Sequence, residues 1–278
     1  HATTGATSVV VEGEGAGNVE QGEDNLVVRA LRLALDRVGA PQVGVRMHCT
    51  NRIPHSRGLG SSASAIVAGV TLARALIGDA DVLGRQEILE IGSQMEGHPD
   101  NVAPAVFGGA TVSWMNEETS EVGSVRLTPP DGISPVAFIP DFELRTAAAR
   151  AALPATVPHG DASFNVARGA LLAAVLSGNA QASGGADLHA LLMEATRDRL
   201  HQEQRRAAME PSLALVDWLR GAGFAAVVSG AGPTVLSLES VGADIRRDAA
   251  AAGWLVVPMG VAPQGVQITR GSLSKVEF

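Results

Sequence analysis

Val45, Met47 and Cys49 alternate with Arg46, His48 and Thr50, the two-residue rhythm of a strand with one covered face. Short apolar stretches predict further strands near residues 7–12, 110–115, 124–127, 136–140, 225–229, 234–238, 254–261 and 266–269. Between them the apolar spacing lengthens to helical steps of three and four. From Leu26 to Val38 the pattern is amphipathic, with Asp24 or Asn25 able to cap its start and Gly39 to stop it. A helix apolar almost all round is predicted over 62–77, ended by Gly78. The next, over 85–96, carries Ile88, Leu89, Ile91, Gly92 and Met95 on one side. Helices are also expected near 147–153, 161–177, 187–200, after Pro211, and near 243–252. Strands and helices interleave without an internal repeat, which predicts a mixed α/β (α+β) class. The pattern changes near Ser134 and Pro135, and a boundary there divides the chain into 1–134 and 135–278.

Composition narrows the function classes. At 278 residues the chain can build hydrophobic cores without disulfides or structural metals. With 46% hydrophobic and 18% charged residues it is not a disordered chain. The net charge of −8 argues against nucleic-acid binding, which needs a basic face. No apolar run reaches membrane-spanning length and the start lacks a charged-then-apolar signal pattern, so no membrane association and a cytoplasmic location are expected. Cys49 is the only cysteine, which excludes a disulfide framework, and its place in the apolar rhythm predicts a buried, inert thiol. The only lysine is Lys275. A Walker A loop, a kinase strand lysine or a Schiff base each needs a lysine in mid-chain, so phosphate chemistry here must use backbone N–H groups, arginine or a metal ion.

Two segments carry candidate chemistry. Pro54-His55-Ser56-Arg57-Gly58-Leu59-Gly60-Ser61-Ser62-Ala63-Ser64 lies between a strand and a helix. Its glycines would let a ligand approach the backbone, the helix N-terminus attracts anions, and the serines can cap the helix, meet phosphate oxygens or bind Mg²⁺. A capped helix after an ordinary glycine loop explains the same residues. Glu96-Gly97-His98-Pro99-Asp100-Asn101 crowds polar groups where a helix ends. It can supply the single carboxylate of a Mg²⁺ site, or be a polar turn in which Asp100 or Asn101 caps residues 102–107. Other residues have plainer readings. His48, His55, His159, His189 and His201 lack metal-ligand spacing; Trp114, Trp218 and Trp254 read as core; Arg205-Arg206 and Arg246-Arg247 read as solvated helix faces.

Taken together, the two segments, the Val102-Ala103-Pro104 that follows the second, and Ser229-Gly230-Ala231-Gly232-Pro233-Thr234 resemble three blocks of the GHMP small-molecule kinases. Within that superfamily the chain is most similar to the homoserine kinase branch, through Glu-Gly-His-Pro-Asp-Asn-Val-Ala-Pro and the run from Arg145 to Pro154. Asn25-Leu26-Val27 and Glu194-Ala195-Thr196-Arg197 also fall where that pattern would have them. The resemblance spans Thr7 to Thr269. It departs in one place: nothing between His1 and Asn25 matches the family's Pro-Ala-Ser-Ser-Ala-Asn-Leu-Gly-like block, which is therefore expected to be missing from this chain.

The resemblance implies a two-domain fold, an N-terminal half like domain 2 of ribosomal protein S5 and a ferredoxin-like C-terminal half, with homodimers common. It implies ATP with Mg²⁺ as cofactors and L-homoserine as the small-molecule acceptor. Residues 54–64 would wrap the phosphates, Ser62 and Glu96 would hold Mg²⁺ with Ser61 as an alternate, and Asn25 would lie toward the adenine. Arg150 and Arg197 match the carboxylate-binding arginines, and His98, Asp100 and Asn101 would sit at the amino-acid end or the hydroxyl. Where some relatives have an aspartate base this chain has Thr146, so the transferring phosphate is expected to accept the proton itself. A GHMP kinase for another small alcohol, or a non-catalytic sensor of the same fold, would share most of these features.

Overall fold

The computed structural model describes residues 1–79 and 81–269; Lys275 lies outside them. The first half holds strands β1 (Ala2–Thr3) and β2 (Ser8–Gly13), helix α1 (Leu26–Arg37) and strand β3 (Gly44–Asn51). β3 is the central strand, with β1 antiparallel on one side and β2 parallel on the other. The two-residue rhythm is realised there: Val45 and Met47 are buried, Arg46 and His48 are exposed. Cys49 is half-buried, and burial pushes its thiol above the ordinary value. The two-residue β1 left no signal in the sequence, being too short for any periodicity.

Helices α2 (Ser61–Ile77), α3 (Arg85–Glu96) and α4 (Val102–Phe107) join α1 in one core with Val9, Val45 and Met47. α2 is apolar all round because two of its sides are used. Ala63, Ile66, Val67 and Val70 enter the core, while Ala65, Ala68, Leu72 and Leu76 line a large cleft. The α1–α2 crossing is close enough that a Cβ on Gly69 would lie 2.2 Å from the Val27 carbonyl oxygen, so only glycine fits. Strands β4 (Ala110–Met115) and β5 (Val122–Leu127) form a hairpin. Trp114, expected in the core, is 52% exposed on the outer face of that ribbon, its ring lying over Gly123 of the paired strand. Trp218 is also largely exposed, and Trp254 alone packs against a core.

The second half runs β6 (Val136–Ile139), α5 (Thr146–Ala151), α6 (His159–Leu176), α7 (Leu188–Ala195), α8 (Glu210–Gly221), β7 (Ala226–Val228), β8 (Val235–Ser237), α9 (Ala243–Ala251) and β9 (Leu255–Pro258). Its antiparallel sheet has the order β7-β8-β6-β9. With α8 leading into β7 and α9 into β9, this is the β-α-β-β-α-β arrangement of a ferredoxin-like unit, and α5 to α7 are additions ahead of α8. Val136, Phe138, Leu215, Leu219, Ala226 and Val235 form its core.

Two expectations fail here. The helix expected over 187–200 stops at Ala195, because the Thr196 hydroxyl donates to the Leu192 carbonyl and Asp198 starts a new turn. Residues 266–269 are not a strand. After β9 the chain returns to the first core, where the Val266 N–H donates to the Ala105 carbonyl and Val266 packs against the cluster. Among the described residues no helix is long and apolar enough to cross a membrane.

Candidate active site

A cleft of about 2080 Å³ is lined by residues of both halves. One wall is the start of α2. Gly60 occupies its N-cap in the left-handed region (φ 72°) and brings no side chain to satisfy the first-turn N–H groups. The positive end of a seventeen-residue helix therefore opens on the cleft. The Ser62 hydroxyl in that turn donates to Glu96 Oε2 at 2.8 Å. Glu96 ends α3, where Gly97 caps the helix with φ 86°. A carboxylate at a helix C-terminus is opposed by the helix dipole, so helix stability does not account for its position.

Asn101 stands at the N-cap of α4 but makes no capping bond. Its carboxamide lies beside Gly60, 3.7 Å from where a Cβ on that glycine would be. The plain reading of Asn101 as a cap is thereby corrected. His98 Nδ1 and Asp100 Oδ1 are hydrogen-bonded at 2.5 Å, and both residues line the cleft.

The glycine–serine segment divides. His55, Ser56, Gly58, Gly60, Ser61, Ser62 and Ser64 line the cleft; Pro54, Arg57, Leu59 and Ala63 do not. Ala63 is fully buried in the first core. Arg57 turns away from the cleft because better acceptors lie behind it. Its Nε donates to the Pro140 carbonyl at 3.0 Å and its Nη2 to the Asp141 carbonyl at 2.7 Å, and Nη1 is 3.3 Å from Glu143. Asn25 also lines the cleft, but its polar atoms are engaged: Oδ1 accepts from the Val27 N–H and Nδ2 donates to the Glu20 carbonyl, capping α1.

The opposite wall comes from the second half. Thr146 opens α5 and Arg150 lies four residues on, so one helix face presents both to the cleft. Arg197 also reaches the cleft, but it pairs with Glu194 at 3.2 Å and its side chain is 48% exposed. Glu194 is shared with Arg168, which stacks on Phe164, as does Arg199.

Arg205 departs most from its expected place. It is buried rather than solvated, with Nε donating to the Ala149 carbonyl and Nη1 to the Gly230 carbonyl. Among the described residues no carboxylate pairs with it. Burial lowers its guanidinium below the ordinary value, Asp198 opposes that, and the neighbouring Arg150 adds to it. The missed signal lies just upstream. Asp198 begins a turn, as an N-cap aspartate does, accepting the N–H groups of His201 at 2.9 Å and Gln202 at 2.6 Å. That turn makes Arg205 point inward while Arg206 pairs outward with Glu203 and Asp217.

Burial of Asp198 would raise its carboxyl, but the Gln202 N–H, Asn165 and His201 overcome this and hold it at about 2. Its folded value is thus below the unfolded 3.8, and its stabilisation is fully present above that pH and lost as pH falls toward 2. Asp198→Asn is expected to cost about 2 kcal/mol at pH 7 and almost nothing near pH 2. Urea unfolding of both proteins at several pH values checks this; a difference independent of pH would refute it.

Among the described residues no group of three or more His, Cys, Asp or Glu side chains could hold a metal alone. The hydroxyl and carboxylate of Ser62 and Glu96 do fit Mg²⁺, which characteristically takes one or two protein ligands and completes its shell with phosphates and water.

Comparison with known proteins identifies the family of the chain. Residues 25–109 match the GHMP kinases N terminal domain, and residues 173–251 match GHMP kinases C terminal. The chain is 44% identical over 260 residues to a homoserine kinase of Streptomyces coelicolor, covering 93% of this chain and 81% of that one. It is 42% identical over 272 residues to one of Leifsonia xyli subsp. xyli, covering 96% and 80%. In fold it resembles the crystal structure of homoserine kinase from Cytophaga hutchinsonii, with a TM-score of 0.76 at 23% identity over 92% of this chain and 83% of that one.

Proposed function

This chain belongs to the homoserine kinase branch of the GHMP kinases, and from that premise we propose how it moves the γ-phosphoryl group of ATP to the hydroxyl of L-homoserine. The observation that carries the reading is the uncapped start of α2 facing Ser62, Glu96 and Asn101 on one wall of the cleft, with Arg150 and Arg205 on the other. The first wall suits a polyphosphate, the second a carboxylate.

The first-turn N–H groups of α2 and the backbone of Gly58 and Gly60 would hold the phosphate oxygens. Ser62 and Glu96 would hold Mg²⁺, which when bound offsets the charge on the β- and γ-phosphates. Arg150 and Arg205 would clamp the carboxylate of the amino acid, since a planar guanidinium matches it with two parallel bonds. Arg205 is preferred to Arg197 for this role because Arg197 is already engaged by Glu194. The His98–Asp100 pair and Asn101 would face the amino group and hydroxyl.

In the transfer the hydroxyl oxygen bonds to the γ-phosphorus while the bond to the β–γ bridging oxygen breaks and ADP leaves. The hydroxyl proton passes to an oxygen of the transferring phosphoryl group, because Thr146 is no base at neutral pH. ATP as donor fits a cytoplasmic setting.

The test is ADP release with Mg-ATP and a panel of L-homoserine, L-serine, mevalonate and shikimate. Turnover confined to L-homoserine is expected. Turnover with another alcohol would discard the arginine clamp but keep the nucleotide wall, and ATP binding without turnover would favour a sensor.

A further inference from the structure

Arg57 is charged, only 14% exposed, and sits in the middle of the phosphate-facing loop, yet it does not face the cleft. It reaches across to residues 140–143, the segment that leaves β6 and leads into α5. Nε and Nη2 donate to successive carbonyls, Pro140 and Asp141, in a fork that only a guanidinium can present. Beside them the Leu144 N–H donates to the Ser56 carbonyl at 3.1 Å. The loop is held from its other side as well. The Ser229 hydroxyl donates to the Gly58 carbonyl at 2.8 Å, and the Thr234 N–H donates to the Arg57 carbonyl. Gly58 is so tightly enclosed that a Cβ there would lie 2.4 Å from the Ser229 carbonyl oxygen. The gripped segment carries, immediately beyond it, the helix whose face bears Thr146 and Arg150.

We infer that Arg57 is a positioning residue: it latches the phosphate-facing loop to the start of α5 and so fixes the distance between donor phosphate and acceptor hydroxyl. The inference rests on the kinase reading above, in which those two walls hold the two reactants. The latch acts on alignment rather than on affinity for nucleotide, because Arg57 does not line the cleft and its one bond to a lining residue goes to the backbone carbonyl of His55. Transfer in line needs the attacking oxygen and the phosphorus held in near-attack geometry, and a displacement of about 1 Å can cost on the order of 100-fold.

Arg57→Ala and Arg57→Lys should be compared with the unaltered chain for kcat, for ATP dissociation constant without alcohol, and for amide exchange at Leu144. The alanine variant is expected to lose about 30-fold in kcat while its ATP dissociation constant changes by about twofold or less, and Leu144 exchange should quicken about tenfold. Lysine can reach one carbonyl but not both, so it should fall between. A parallel loss of ATP affinity would overturn the inference by showing Arg57 to be part of the nucleotide site, and unchanged kcat in both variants would overturn it too. If the unaltered chain itself transfers nothing to L-homoserine, the kinase reading has failed, and unquickened Leu144 exchange would then dispose of the latch separately.

Discussion

Glu96→Gln is expected to lower kcat by about 100- to 1,000-fold while leaving thermal stability unchanged or slightly raised. Glutamine keeps the size of the side chain and an oxygen that can still accept from the Ser62 hydroxyl. What it removes is the negative charge, which sits at the C-terminus of α3 where the helix dipole disfavours it. Stability and function therefore pull in opposite directions at this position, a pairing that a structural role would not produce. The requirement for Mg²⁺ should rise in the variant, since a neutral amide is a poor ligand for a hard cation. Thr146→Ala should cost much less, because the hydroxyl at the start of α5 is not needed as a proton acceptor when the phosphoryl oxygens take the proton. Steady-state ADP release across a Mg²⁺ titration measures both variants. A larger loss for Thr146→Ala than for Glu96→Gln would sink this account of the proton.

The wall built on the start of α2 was legible because its residues are local in sequence. A strand, a glycine loop and a helix start occur in order, and the helix began where the serines implied, one residue earlier than expected. α3 and β4 followed their periodicity to the residue. What the loop's composition could not show was direction. Arg57 lies among cleft-lining neighbours, yet the carbonyls that turn it away belong to residues more than eighty positions later. Trp114 was misjudged for a similar reason. The β4–β5 ribbon has a covered face, but it is the one that carries Met115 and Val122 against the first core, and Trp114 has the opposite parity.

The opposite wall was less legible because it is assembled from α5, the turn after α7 and the Gly230 turn, none of which is periodic enough to fix side-chain direction. The helix expected over 187–200 would have carried Arg197 and left Arg205 on a separate solvated face. In the structure that helix ends early, and the turn capped by Asp198 buries Arg205 while Arg197 stays exposed and paired with Glu194. A polar residue at a cap decided the outcome, which a count of apolar spacing does not register.

Arg205→Met should therefore reduce kcat/KM for L-homoserine by about 100- to 1,000-fold, with the ATP dissociation constant changed by about threefold or less. Methionine fills a similar volume but leaves the Ala149 and Gly230 carbonyls without a donor, so a fall in thermal stability is also expected. Stability loss alone would weaken every substrate alike. A lost carboxylate clamp would instead spare an acceptor that has no carboxylate, so 3-aminopropan-1-ol, expected to be a poor substrate of the unaltered chain, separates the two. The preference for L-homoserine over this analogue should nearly vanish in Arg205→Met and be partly kept in Arg205→Lys, which retains the charge without the fork. Arg197→Ala should change the preference by about threefold or less, since that guanidinium is solvent-facing and already paired with Glu194. The reverse result, with Arg197 controlling the preference and Arg205 only the stability, would return the clamp to the residue the sequence pattern first indicated and make Arg205 a bracket between α5 and the Gly230 turn.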